Sequence, residues 1–262
     1  MGTKSQRKRL PGAARLQAIR DELTRSASLS ISEISEKLGV TEMTIRRDLA
    51  RLEKSSDVRR THGGAVVAER MAFEFNYLTR QRAHLKEKQA IAETARKLVE
   101  PGQRVILDTG TTTLQLATLL KDCPGLTVIT PSLAVASELQ FSENVNVVLL
   151  GGILHRGSPD LTGPVTEHCL ELFSADWAFQ GAEALGLDGS IYNVDLQLAR
   201  VDRIMRGKAA HSCLLADSSK VGQTALVKNG TLFDFDIFIT DRGVPRDYLR
   251  IARKMAHEVV LA

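Results

Sequence analysis

Apolar residues recur at helical spacing through the first quarter of the chain. Leu16, Ile19 and Leu23 lie three and four positions apart, the stripe of a helix with one buried face. Ser30-Ile-Ser-Glu33 has the form of a capping box, with the Ser30 hydroxyl accepting from a first-turn amide and Glu33 reaching back. It predicts a second helix over about Ile31–Leu38, burying Ile34 and Leu38. Gly39-Val40 makes a turn that needs a positive φ, and Thr41 caps a third helix running to Lys54. On that helix Ile45, Leu49 and Leu52 share one narrow arc, while Met43, Arg47 and Arg51 face the other way, flanked by Thr44 and Arg46. Two short β-prone runs then surround Gly63-Gly64 in the stretch Val58–Val66. Two helices around a glycine turn, followed by a hairpin, predict a winged helix-turn-helix.

From Gln89 onward the pattern changes to apolar runs alternating with helical stripes. Ile91, Ala95 and Leu98 stripe a helix that Pro101-Gly102 ends. Val105–Leu107, Leu126–Thr130, Val145–Leu150, Cys213–Ala216, Phe235–Thr240 and Glu258–Leu261 are strand-like. Helices are expected over Leu114–Leu120, Ala134–Leu139, Leu196–Lys208 and Asp247–Met255. Continuous apolar strands between helices imply an α/β unit with a mainly parallel sheet covered on both faces. Residues 68–88 are polar, with Phe73, Phe75 and Tyr77 as isolated apolar anchors. The expected organisation is a DNA-binding domain over 1–67, a linker over 68–88 and an α/β domain over 89–262.

Charge sharpens this division. Residues 1–65 hold 14 Lys and Arg against 8 Asp and Glu, a net of +6, whereas the remainder carries a net of −2. The basic excess therefore coincides with the cationic helix, as a nucleic-acid-binding module requires. Its face offers Thr41, Met43, Thr44, Arg46, Arg47 and Arg51 to base edges and phosphates, and the hairpin adds Arg59, Arg60 and His62. No apolar run approaches a membrane span, and the basic N-terminus lacks the apolar region of a signal peptide, so the expectation is a cytoplasmic protein without a membrane partner. Cys123, Cys169 and Cys213 are scattered, and neither they nor the six histidines stand at metal-ligand spacing. No metal and no cofactor are expected.

Candidate ligand chemistry collects at strand ends. The first strand runs into Asp108-Thr-Gly-Thr-Thr-Thr113 and then a helix. A glycine for close approach, a row of hydroxyls and the amides of a helix N-terminus together suit a phosphate. Ser132 follows the second strand, Gly151-Gly152 the third, and Lys220 ends Ala216-Asp-Ser-Ser-Lys220 after a later one. Neither a Walker A sequence nor G-x-G-x-x-G is present, which disfavours nucleotide hydrolysis and dinucleotide binding.

These motifs resemble those of the DeoR-type bacterial transcriptional regulators. Val40-Thr-x-x-Thr-Ile-Arg-Arg-Asp-Leu49 and Arg-Arg-Thr-His-Gly-Gly-Ala65 are similar to the family's DNA-binding domain. Asp108–Thr113, Leu149-Leu-Gly-Gly152, Ala216–Lys220 and Ile239-Thr-Asp241 are similar to its sensor domain. The resemblance implies a repressor of sugar or polyol catabolism, bound as an oligomer to double-stranded operator DNA. It implies control by a phosphorylated sugar or polyol, through a sensor similar in fold to ribose-phosphate isomerase. By position, Thr109, Gly110, Thr111, Thr112, Thr113 and Ser132 would hold the phosphate, beside Asp108 and Gly152, and Lys220 would face the sugar. The chain departs from the family pattern at Pro131, Leu198-Ala199, Gly181-Ala-Glu-Ala184 and Ser56. The alternative is an enzyme, a sugar-phosphate isomerase or deaminase, in which Glu183, Asp108 or Asp195 would supply the carboxylate base. The missing family carboxylate at Leu198-Ala199 and the basic helix-turn-helix argue against turnover. A sensor for an unphosphorylated sugar is the third reading.

Overall fold

The computed structural model describes residues 11–26, 28–54, 58–60, 64–67, 77–155 and 158–262. They divide into two compact units, with the boundary between Thr79 and Arg80.

In the first unit, α1 (Gly12–Ser26), β1 (Ser28–Ser30), α2 (Ile31–Leu38) and α3 (Glu42–Lys54) precede a hairpin of β2 (Val58–Arg60) and β3 (Gly64–Val67). The predicted stripes, apart from Leu23, whose side chain falls outside the described residues, meet in one core of Ile19, Leu29, Ile31, Ile34, Ile45, Leu49 and Leu52, with Leu16 and Leu38 at its margin. Gly39 closes α2 in the left-handed conformation, φ 64°, and the amides of Gly39 and Val40 return to the carbonyls of Glu36 and Ser35. The capping box does not form. Ser30 belongs to β1, a third strand pairing with β3, and its hydroxyl meets that of Ser32 at 2.8 Å instead of an α2 amide. Gly64 lies in β3 opposite Ser30. A Cβ there would meet the Leu29 carbonyl oxygen at 1.9 Å, so close strand approach demands the glycine.

The second unit is built on seven parallel strands in the order β15-β14-β12-β9-β4-β5-β6. These are β4 (Arg104–Leu107), β5 (Leu126–Thr130), β6 (Val145–Leu149), β9 (Ala175–Gly181), β12 (Ala209–Leu215), β14 (Ile237–Thr240) and β15 (Glu258–Leu261). Helices α4 (Leu85–Arg96), α5 (Thr111–Leu120) and α6 (Leu133–Leu139) pack in succession, and α7 (Pro164–Glu171) pairs with α8 (Leu196–Gly207). Helix α9 (Arg246–Met255) buries Tyr248 and Ala252 against Phe235 and Phe238. Sequence patterning missed β9, whose apolar run is interrupted by Asp176 and Gln180, together with α7 and two antiparallel additions. One is the two-residue hairpin of β7 (Ile153–Leu154) and β8 (Leu161–Thr162). The other is the sheet of β10 (Ala184–Leu185), β11 (Ser190–Asn193) and β13 (Val227–Thr231). Strands this short carry too little alternation to be recognised alone.

The chain lays β4, β5 and β6 outward in one direction, then β9, β12, β14 and β15 in the other. Strand order therefore reverses between β4 and β9, where an open parallel sheet leaves a crevice beyond its strand ends. Residues 77–82 are helical and α4 starts at Leu85, so part of the stretch expected to be linker is ordered as the beginning of the second unit.

Candidate functional sites

In the first unit, burial of Ile45, Leu49 and Leu52 fixes the roll of α3 and turns Met43, Arg46, Arg47 and Arg51 outward, all exposed. The Thr41 hydroxyl lies 3.0 Å from that of Thr44 and accepts from the Thr44 amide at 3.4 Å, a loose cap at the start of the helix. Arg46 pairs with Glu42 one turn earlier at 3.4 Å. Arg47 and Arg51 stand on the exposed face. Arg59 and Arg60 lie on β2, but their side chains and His62 fall outside the described residues, as do Ser56 and Asp57.

One feature of this unit had no sequence signal. Asp48, buried on α3, receives Arg15 of α1 at 2.5 Å and 3.2 Å. The carboxylate raises the guanidinium pKa through hydrogen bonding, against some loss of solvent. The pair ties the first helix to the reading helix from inside.

In the second unit the β4–α5 loop lies at the switch point. Asp108 is buried and turned inward. One of its oxygens accepts from the Gly110 amide at 2.8 Å and the Thr113 hydroxyl at 2.5 Å, and the other accepts from the Gly181 amide at 2.5 Å. Burial raises its pKa, and the three hydrogen bonds counter that effect. Thr113 is wholly buried and also donates to the Gly110 carbonyl. Asp108 and Thr113 thus shape the loop, their polar atoms bonded within it and to Gly181. Helix α5 begins after Gly110, which offers no side-chain cap, so the amides of its first turn have no intrahelical acceptor. Thr109 and Thr111 are half-buried at this mouth, while Thr112 is buried.

The other predicted positions behave differently from one another. Ser132, buried, caps α6 through its hydroxyl, which accepts from the Val135 amide at 3.4 Å. Lys220 is half-buried on the turn after β12, where Asp217 caps the backbone. Gly152 sits with φ 153° against Thr162 and Thr166, and a Cβ there would lie 2.0 Å from the Thr166 hydroxyl. The close approach of Thr162 and Thr166 requires a glycine there.

Three residues that sequence reasoning missed lie near the same strand ends. Lys88, buried on α4, donates to the carbonyls of Arg80 and Ala83 and experiences the charges of Asp217, Lys220, Arg80 and Glu183. Burial lowers its pKa. Arg80 meets Glu183 at 2.5 Å. Asp160 adjoins Ser132 through a strand-like bridge, and burial pushes its pKa up to about 6, with Ser158 and Thr109 countering part of that rise. Arg80 and Lys88 fall in the stretch expected to be linker, and only the fold brings them to the strand ends. Beneath the site, Asp202 accepts from Asn193 at 2.8 Å and Asn229 at 2.9 Å, and burial together with the charge of Asp108 raises its pKa to about 7.

The carboxylates considered for acid–base chemistry already have structural partners. Glu183 is held by Arg80, Asp108 by its three donors, and Asp195 caps α8 through the amides of Gln197 and Leu198. Among the described residues no group of three His, Cys, Asp or Glu is arranged to hold a metal, and no helix is long and apolar enough to cross a membrane.

A helix-turn-helix with a cationic outer face in one unit, and a parallel sheet with cations gathered beyond its strand ends in the other, are the two parts of a DNA-binding transcriptional regulator with a sensor domain. Residues 15–71 match the DeoR-like helix-turn-helix domain and residues 83–242 match the DeoR C terminal sensor domain. The chain belongs to the DeoR family of helix-turn-helix transcriptional regulators. It is 36% identical to the uncharacterized HTH-type transcriptional regulator YulB of Bacillus subtilis, over 88% of this chain and 90% of that one. It is 32% identical to the putative aga operon transcriptional repressor of Escherichia coli O157:H7, over 97% and 96%. It is 28% identical to the glycerol-3-phosphate regulon repressor of Escherichia coli K12, over 85% and 88%. Among solved structures, ribose 5-phosphate isomerase A of Methanocaldococcus jannaschii aligns with 53% of this chain and 55% of its own, at 19% identity and a TM-score of 0.40.

Proposed function

We propose that this protein is a repressor of a sugar or polyol catabolic operon, released from or retained on its operator by a phosphorylated small molecule. Helix α3, capped by Thr41, enters the major groove with Thr41, Met43, Thr44, Arg46, Arg47 and Arg51, while Arg59, Arg60 and His62 of the wing contact the backbone. The protein acts in the cytoplasm as a homo-oligomer, because paired helix-turn-helix units are what gives such modules adequate specificity. The observation that carries the effector reading is the uncapped N-terminus of α5 at the β4/β9 reversal, with Lys88, Lys220 and Arg80 gathered beside Glu183 and Asp217, which follow the neighbouring strands β9 and β12. First-turn amides with neighbouring cations accept a dianionic phosphoryl group better than any neutral one. Thr109, Gly110, Thr111 and Thr112 form the cradle, Ser132 closes its side, and Asp108 and Thr113 hold its shape. The aga and glycerol-3-phosphate names of two relatives agree with carbohydrate control.

The test is thermal shift of the full chain against matched sugars and polyols with and without phosphate. Only phosphorylated members should raise the melting temperature, because a ligand stabilises in proportion to its binding of the folded state. Equal stabilisation by the unphosphorylated partners would overturn the phosphate reading. Conversion of aldose to ketose phosphates, followed by NMR, would restore the enzyme alternative.

A further inference from the structure

The sensor unit carries a charged face remote in sequence from every effector residue. On α9, Arg246, Arg250, Arg253 and Lys254 are all exposed and fall within about 100° of helix surface. Arg242, also exposed, stands just before the helix. The opposite side holds Tyr248 and Ala252 in the core with Phe235 and Phe238, so the outward direction of the cations is fixed by packing. Asp247 pairs with Arg250, an exposed i,i+3 contact of the weak kind. Residues 80–241 contain more acidic than basic side chains, so this face is a local concentration and not a share of a general positive charge.

Its chemistry selects a partner. None of the large apolar residues of α9 is exposed, which removes the wedge that a membrane or an apolar groove would take up. Arginines one turn apart repeat at about 6 Å along the helix and present planar forks suited to phosphate oxygens. We propose that the outer face of α9 is a second, sequence-independent contact with the phosphate backbone of DNA. On the function proposed above, on which this inference rests, duplex DNA is the polyanion that this same chain binds through α3. A second contact in one chain forms intramolecularly, at an effective concentration on the order of millimolar, so individually weak arginine–phosphate contacts count.

Salt dependence tests this directly. Affinity of the full chain for a mixed-sequence duplex several helical turns long is measured across a salt series, for the wild type, for the combined Arg246→Gln, Arg250→Gln and Arg253→Gln variant, and for the matching Arg→Lys variant. Each lost phosphate contact lowers the magnitude of the log–log salt slope by about 0.9, so the glutamine variant is expected to lose roughly 2–3 and the lysine variant almost nothing. Charges lying more than about 10 Å from DNA are screened at 0.1 M salt and leave the slope unaltered. A glutamine variant that melts like the wild type and keeps its slope and affinity would overturn the proposal and leave the face to an acidic protein or to solvent. Equal losses in the glutamine and lysine variants would overturn it too, since phosphate recognition at this face depends on charge.

Discussion

Arg47 stands exposed on α3 because three apolar neighbours on the far side are wholly buried. If it reads a base, Arg47→Ala should weaken binding to a selected operator by about 1–3 kcal/mol and relax the sequence preference at one position. Gel shifts on operators selected from random duplexes measure both, and equal binding by the two proteins would remove that role. A different residue governs pH behaviour. Asp202 titrates near 7 in the folded chain, against an ordinary 3.8. Between those values the native state holds a proton that the unfolded chain releases. Stability contributed in this way is present at the acid end of the window and falls as pH rises through about 7. Asp160, at about 6, adds to the same trend. Asp202→Asn keeps an oxygen for Asn193 and Asn229 but removes the ionisation. Its melting temperature should exceed that of the wild type at pH 8 by more than at pH 5. Parallel pH profiles for the two proteins would contradict the assignment.

At the scale of elements, the stripe of α3 was legible because one side chain after another obeyed a single period, and six of the seven parallel strands because they are nearly unbroken apolar runs; β9, interrupted by Asp176 and Gln180, was not. Ile45, Leu49 and Leu52 needed no knowledge of their neighbours in space. Ser30 shows where that logic fails: its local motif was right for a cap, but pairing with Gly64 drew its backbone into a strand. Arg80 and Lys88 were illegible for the complementary reason, since their partners Glu183 and Asp217 lie more than a hundred residues away. The Thr109–Thr112 loop was legible because its chemistry is contiguous. The Arg15–Asp48 strut belongs to the illegible class and is testable by itself. Arg15→Ala leaves a buried carboxylate unpaired and should cost on the order of 2–3 kcal/mol, below the figure for a fully enclosed pair because the arginine keeps some solvent contact. Urea unfolding followed by far-UV circular dichroism measures this. A loss under half a kilocalorie would demote the strut to a surface contact.

For the whole molecule, a sensor controls a DNA-reading unit only if the effector binds the free and DNA-bound forms with different affinities. Couplings of this kind amount to about 1–3 kcal/mol, so effector affinity should change roughly 5- to 150-fold on adding operator duplex, and operator affinity by the same factor on adding effector. Calorimetry in both directions checks the equality. Lys220→Ala should weaken binding of the stabilising sugar phosphate and leave operator affinity without effector unchanged. An unaltered effector affinity would remove Lys220 from the site.

The tie made by Asp108 carries a consequence for what this position tolerates. Its two oxygens receive hydrogens from opposite directions, from Gly110 and Thr113 on one side and Gly181 on the other. An asparagine has the same outline but a single acceptor, so it would aim an NH2 group at another N–H and force the β4 turn away from β9. The turn is set by the chain's own hydrogen bonds, and only a carboxylate, with an acceptor at each end, can keep its two halves together.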